Sequence, residues 1–279
     1  MPIKLYRPVT KGRRFSSVQD FSDITTNDPE KSLITISKEK GGRNNQGKIT
    51  VRHHGGGVKK YLRTVDFKRD KFDIPATVAT IEYDPNRGAR LSLLNYKDGE
   101  KRYMLTPDGL KVGDVVVSSK KEAEIKIGNR LPLEKIPVGM NVHSVEFQPD
   151  KGGQLGHGAG SVIQLIALEG GFATLRLPSR EVRNVPKSCM ATLGSVSNPD
   201  YHLVRYGKAG RMRLRGIKPT VRGKAMNPVD HPHGGGEGKH PIGMKYAKTK
   251  WGKHALGVKT RRKHNPSTKL IVDRRNKSK

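Results

Sequence analysis

The chain has 279 residues with one cysteine, 33% hydrophobic and 5% aromatic content, and 55 Lys and Arg against 25 Asp and Glu, a formal net charge of +30. A single thiol, Cys189, excludes an intrachain disulfide framework and every zinc ribbon or finger that needs two thiolates. No apolar run reaches the roughly eighteen residues that span a bilayer. The charge is uneven: residues 1–71 hold 17 basic and 7 acidic side chains, residues 72–200 hold 16 and 15, and residues 201–279 hold 22 and 3. A near-neutral middle between two cationic flanks points to nucleic acid as partner, because each neutralised phosphate releases condensed counterions. A membrane surface fits less well, since no apolar face accompanies the basic residues.

In chain order, Met1-Pro2-Ile3-Lys4-Leu5 lacks the apolar stretch of a secretory signal, so a cytoplasmic protein is expected. Residues 1–71 read as a basic extension leading into the first folded domain. Within it, Arg43, Asn44, Asn45 and Lys48 stand among Gly41, Gly42 and Gly47. This set combines flexible backbone, amides suited to nucleic-acid edges and phosphate-binding cations. A second such element follows at Arg52-His53-His54-Gly55-Gly56-Gly57-Val58-Lys59-Lys60. Taken singly, each is also a plausible solvated loop; their proximity favours a binding role.

From Ala76 the pattern becomes β-branched and alternating, broken every eight to twelve residues by turn chemistry. Strands are expected at 76–83, 89–95, 101–105 and 114–119, with Asp98-Gly99 as a tight hairpin turn. Four strands without helical period predict a small barrel over residues 72–128. A second barrel is expected over 129–200, with strands at 141–148, 161–169, 172–177, 181–185 and 191–196. The Pro-containing stretch 129–137 joins the two. Lys151-Gly152-Gly153-Gln154 reads as a loop turned toward the same partner, and Cys189 as a small buried side chain.

Residues 201–279 form a basic Gly- and His-rich extension with little amphipathic period. Its aromatic punctuation, Trp251 included, suits an extended segment that orders on a partner. The most distinctive stretch runs from Asn227 to His240, with Asp230, His231, His233 and the run Gly234-Gly235-Gly236. A metal site on these histidines and carboxylates lacks a regular element to fix the ligands, and the cationic surroundings oppose it. Acid–base catalysis lacks a nucleophile, an orienting partner and a substrate pocket. Imidazoles that stack on bases or bond to sugar and phosphate give the best reading.

These motifs carry a resemblance. The chain resembles bacterial large-subunit ribosomal protein two (the universal L-two family) in Gly41–Gly47, Asp66-Phe67-Lys68-Arg69, Glu82-Tyr83-Asp84-Pro85-Asn86-Arg87 and Ile136-Pro137-Val138-Gly139. It continues in Lys151–Leu155, Gly207-Lys208-Ala209-Gly210, Arg222-Gly223 and Met226–Gly238. The resemblance implies a mainly β fold: an OB-type barrel, then an SH3-like barrel, with long basic irregular N- and C-terminal extensions. It implies a structural, non-enzymatic constituent of the large ribosomal subunit that binds 23S-type rRNA, without cofactor or metal. Subunit association, tRNA placement and organisation of the peptidyl-transferase region are the implied roles. Neighbouring ribosomal proteins and the small subunit are the other implied partners. Besides the residues above, Lys68, Arg69, Arg87, Lys208, Arg211, Arg213, Arg215 and Arg222 are candidate rRNA contacts. The competing reading gives His231 a direct acid–base part in peptidyl transfer. Two departures stand out. Gly156-His157-Gly158 replaces the family's usual Ala, Arg and Ser, and Leu214 stands where a tryptophan is common.

Overall fold

The turns that punctuate the middle of the chain fold it into short strands that pair mainly with their sequence neighbours. The computed structural model describes residues 3–238, 240–262 and 264–274; Lys239, in the His-rich stretch, and residues 275–279, ending the C-terminal extension, lie outside them. By contact density the chain divides into two units, one of residues 1–38, 59–208 and 267–279, the other of residues 39–58 and 209–266.

In the first unit, β1 (Ile3–Leu5) and β2 (Ser17–Gln19) form a hairpin around a single helical turn, α1 (Lys11–Arg14). Thr10 caps that turn by accepting from the Arg13 N–H. A second small ladder pairs β3 (Ile34–Ile36) with β4 (Tyr61–Arg63). Then come β5 (Ala76–Glu82), β6 (Leu91–Tyr96), β7 (Lys101–Leu105) and β8 (Val115–Val116), an antiparallel sheet in the order β7-β6-β5-β8. The β6–β7 turn places Gly99 at φ 85°, a backbone region where a side chain is strained. Strand β6 is covered on both faces. Leu91 and Leu93 join Tyr103, Leu105 and Val196 on one side, while Leu94 and Tyr96 join Val78, Met104 and Val116 on the other. Leu33, Val65 and Phe67 pack onto the first of these cores. The lead-in is thus part of the barrel's packing.

A seven-stranded antiparallel sheet follows, made of β9 (Arg130–Pro132), β10 (Asn141–His143), β11 (Ile163–Glu169), β12 (Phe172–Arg176), β13 (Val182–Pro186), β14 (Met190–Leu193) and β15 (Ile271–Asp273). The stretch read as a joining segment therefore contains a strand: Leu131 pairs with Ala191 and is 1% exposed. Strand β9 lies at the sheet's edge, the position where a proline costs no ladder bond. Strand β15 holds the other edge, so the C-terminal extension returns to the second barrel through Val182 and Arg183. Cys189 is buried in this core, and burial, reinforced by Glu146, pushes its thiol up to about 12, far from a reactive thiolate.

The two sheets are sewn together by polar groups. The Arg90 N–H donates to Ser197 Oγ at 3.0 Å, and Asn198 Nδ2 donates to Gly88 O at 2.6 Å. The buried Arg90 guanidinium reaches Asp23 at 2.7 Å and Gln19 at 3.3 Å, tying the N-terminal segment to the barrel. Buried Arg130 pairs with buried Glu146 at 2.7 Å. His143 donates from Nδ1 to Gly194 O at 2.9 Å, since a carbonyl can only accept.

Burial drives the His143 pKa down to about 4. Between pH about 6.5 and about 4 the unfolded chain binds a proton that folded His143 refuses. Stability is therefore complete above pH about 6.5 and declines as pH falls to about 4, by about 3 kcal/mol at the linkage rate of ~1.4 kcal/mol per unit. His143→Asn keeps an N–H donor and does not titrate, so its urea midpoint should fall less steeply over this window. Equal slopes for the two proteins would remove His143 as the cause.

Candidate nucleic-acid interface

In the first unit many cations already have partners. Lys71 sits on Asp98 and Glu100, Arg87 on Asp84, Lys101 on Glu30, Arg102 on Asp66 and Asp70, and Lys120 on Asp150. The second unit is different in kind. Its sequence holds 19 Lys and Arg against three carboxylates, Glu39, Asp230 and Glu237, a net of +16. Three anions cannot neutralise nineteen cations. The field of this unit calls for an external polyanion.

The Gly-rich element at 41–58 does not stand free. Its backbone zips onto the segment around α2 (Ala209–Leu214): Gly55 N to Gly216 O at 2.8 Å, Val58 N to Leu214 O at 2.9 Å, and Lys218 N to His53 O at 2.8 Å. A Cβ on Gly57 would lie 2.8 Å from the Gly216 nitrogen, so glycine is required for this close approach. The zipper brings Arg43, Arg52, His53 and Lys218 around one hollow of about 200 Å³. Asn44 is committed to its own turn, where Oδ1 accepts from the Gln46 and Lys48 N–H groups at 3.0 Å each. Asn45 and Lys48 are exposed, as are Gly56, Arg213 and Arg215, while Arg211 is half-buried.

The histidine loop is built inward. The His233 N–H donates to His231 Nδ1 at 3.0 Å, and the Lys248 N–H donates to His233 Nε2 at 2.8 Å. His231 Nδ1 and His233 Nε2 are therefore acceptors, which places the His231 proton on Nε2. Burial, then the neighbouring His233, Arg52 and Lys250, holds the His231 pKa below its ordinary value, in keeping with a neutral ring. The glycine run is explained by packing within the protein. A Cβ on Gly234 would meet Asn227 O at 2.2 Å, one on Gly235 would meet Pro228 at 2.9 Å, and one on Gly236 would meet the His240 ring at 2.8 Å. Close packing of these glycines clamps the turn from Asn227 to Asp230, which Asp230 N closes on Asn227 O at 3.0 Å.

Trp251 is 66% exposed at the tip of a tight turn closed by Gly252 N to Thr249 O at 2.9 Å. An aromatic ring presented this way is a platform on which a base stacks. Lys59, Lys68, Lys151, Gln154 and Lys208 are exposed in the first unit, and Lys60 is half-buried. Other residues named from the sequence turn inward. Arg69 is 4% exposed and donates to Gly128 O at 2.7 Å, with its pKa pushed down to about 10 by burial. The Gly152 N–H is held by Glu146, and Gly153 lies against Ser144, where a Cβ would approach the Ser144 carbonyl oxygen to 2.6 Å.

His157, the departure from the family pattern, stacks on Phe67 at 4.5 Å, and Ser144 Oγ lies 3.2 Å from its Nε2. This Ser–His pair has the spacing of a nucleophile and base, yet Ser144 is 6% exposed and unreachable by substrate. Among the described residues no three of His, Cys, Asp and Glu gather as a metal site requires. Among them, too, no helix is long and apolar enough to cross a membrane. Sequence reasoning missed Lys218, Lys248 and Lys250, whose value comes from their neighbours across the fold.

Comparison with known families gives two matches. Residues 30–118 match the RNA-binding N-terminal domain of ribosomal proteins L2, and residues 126–252 match the C-terminal domain of the same proteins.

Proposed function

The chain belongs to the ribosomal L2 family, a structural RNA-binding protein of the large ribosomal subunit, and on that footing we propose that its second unit is the principal rRNA-binding surface. The observation that carries this reading is the +16 charge gathered there by residues far apart in sequence. Arg43, Arg52, Lys218 and Lys250 hold phosphates, Trp251 stacks on a base, and the His231 loop braces nearby RNA. Arg69 is left out, because its guanidinium is buried on its own chain. The particle in which it works is cytoplasmic, its RNA is 23S-type, and neighbouring ribosomal proteins and the small subunit complete its partners. Support for subunit association, tRNA placement and an ordered peptidyl-transferase region follows from holding that RNA in shape.

The second reading makes His231 a general acid or base. Against it, Nδ1 already accepts from the His233 N–H at 3.0 Å, so the ring has no free nitrogen lone pair with which to act as a base. The protein then acts as scaffold and has no enzymatic step of its own. His231→Gln keeps hydrogen-bonding groups but does not titrate near neutrality. In purified particles of checked composition, single-turnover peptide transfer should run at close to the normal rate, with fewer particles assembled. A loss of two to four decades in complete particles, with a lost pH step near neutrality, is the signature of general catalysis and would establish the competing reading.

A further inference from the structure

One open hollow of the second unit contains more than an anion requires. It is lined by Arg52 and Lys250, by Val221, Ala225 and Met226, and by Asn227 and Asp230, with a volume of about 390 Å³. Phosphate alone is served by the two cations and opposed by Asp230. A carboxylate in this place, one of three in a unit with 19 cations, recognises a donor. Its position is fixed: Asp230 N bonds to Asn227 O at 3.0 Å, and Gly234 and Gly235 close on the same turn, Gly235 N reaching Met226 O at 3.0 Å. Lys250 stands in the turn that Gly252 N closes on Thr249 O at 2.9 Å, and the preceding Lys248 N–H is tied to His233 Nε2 at 2.8 Å.

We propose that this hollow is a guanine-selective site for a single unstacked nucleotide of RNA, a deepening of the RNA-binding reading on which it rests. Among the four RNA bases guanine alone offers two adjacent donors, N1–H and the 2-amino group, on its Watson–Crick edge, and a carboxylate accepts both at once. Adenine and cytosine offer one amino group there, and uracil one ring N–H. The Asn227 carboxamide donates to the guanine O6 side, Val221 and Met226 cover the base face, and Arg52 and Lys250 hold its phosphate. A phosphate at the two cations also removes part of the repulsion that keeps His231 neutral, so the His231 ring reports occupancy by a rise in its pKa.

The test uses the full chain and four labelled pentanucleotides, UUGUU, UUAUU, UUCUU and UUUUU, read by fluorescence anisotropy at one salt concentration. UUGUU should bind about ten-fold more tightly than the other three, in the range of one bidentate base contact. Inosine at the central position, which lacks the 2-amino group, should fall between. Asp230→Asn should erase the preference and raise the affinity for all four, since the carboxylate that opposes phosphate is gone, while Arg52→Gln should weaken all four alike. Equal binding of the four by the natural chain, or a preference that survives Asp230→Asn, overturns the guanine site. Failure of all four to bind overturns it as well. An rRNA fragment tested alongside then separates loss of this site from loss of RNA binding altogether.

Discussion

Glu146→Leu should cost about 3–5 kcal/mol of folding stability, the penalty for leaving one member of a buried ion pair without its partner. The Glu146 carboxylate takes Arg130 at 2.7 Å, the Gly152 N–H at 2.9 Å and the Met190 N–H at 3.1 Å, all away from solvent. Leucine removes the counter-charge and the carboxylate acceptor of both backbone N–H groups together, and the two orphaned donors add to the loss. Arg130 is already short of partners, since its Nε and one terminal nitrogen are buried without a hydrogen bond among the described residues. Burial accordingly lowers its pKa, with Glu146 as the main opposing influence. The double variant Arg130→Met with Glu146→Leu should recover the part of the loss that comes from the unpaired charge, because an apolar pair of similar volume carries none, while the Gly152 and Met190 N–H groups stay unpaired. Urea midpoints for the single and double variants decide it. A single variant within about 1 kcal/mol of the natural chain would show that water or relaxation solvates Arg130. A double variant no better than the single would show that packing, and not charge, sets the cost.

The middle of the chain was readable because its signals are local. Alternation and Gly- or Pro-based turns located β5, β6, β7, β11, β12 and β13 nearly to the residue, since each pairs with a sequence neighbour. Two strands with distant partners, β9 and β15, were not readable. Residues 130–132 offered only three residues of pattern beside a proline and became β9 by pairing with β14, far along the chain. Strand β15 carries the apolar pair Ile271-Val272 inside a basic tail, and its partner β13 lies almost ninety residues earlier, as Arg183 facing Ile271 shows. Leu33, Val65 and Phe67 were invisible as core because their segments lack a period, although they complete one face of β6.

The interface was legible in kind and not in assembly. Composition identified the cations, but nothing in the sequence says that residues 39–58 fold with residues 209–266. Glycine had two explanations, approach to phosphate or close packing, and composition does not separate them. At Gly57 and Gly234 the structure gives the second, with backbone atoms of Gly216 and Asn227 where a side chain would stand. Arg69 illustrates the converse. In the sequence it is one basic residue in the Lys68-Arg69 pair, whereas in the fold its neighbour is exposed and it is buried.

RNA affinity should collapse with salt, and the loss should trace to the second unit. Six to ten phosphate contacts imply a fall of about 10³–10⁵ between 50 and 200 mM salt, with a log–log slope of about −0.7 to −0.9 per contact. Replacing Arg43, Arg52, Lys218 and Lys250 together by Gln removes four cations, none of them in the ion pairs that hold the first unit. The slope should flatten by about three to four. Lys101→Gln with Lys126→Gln provides the control, because those lysines face Glu30 and Glu124 at 2.7 Å each. The measurement is a salt series of binding isotherms with a large-subunit rRNA fragment for the natural chain, the fourfold variant and the control. A flattened slope in the fourfold variant alone is the expected result. An unchanged slope there, or an equal change in the control, would contradict the assignment of RNA binding to the second unit.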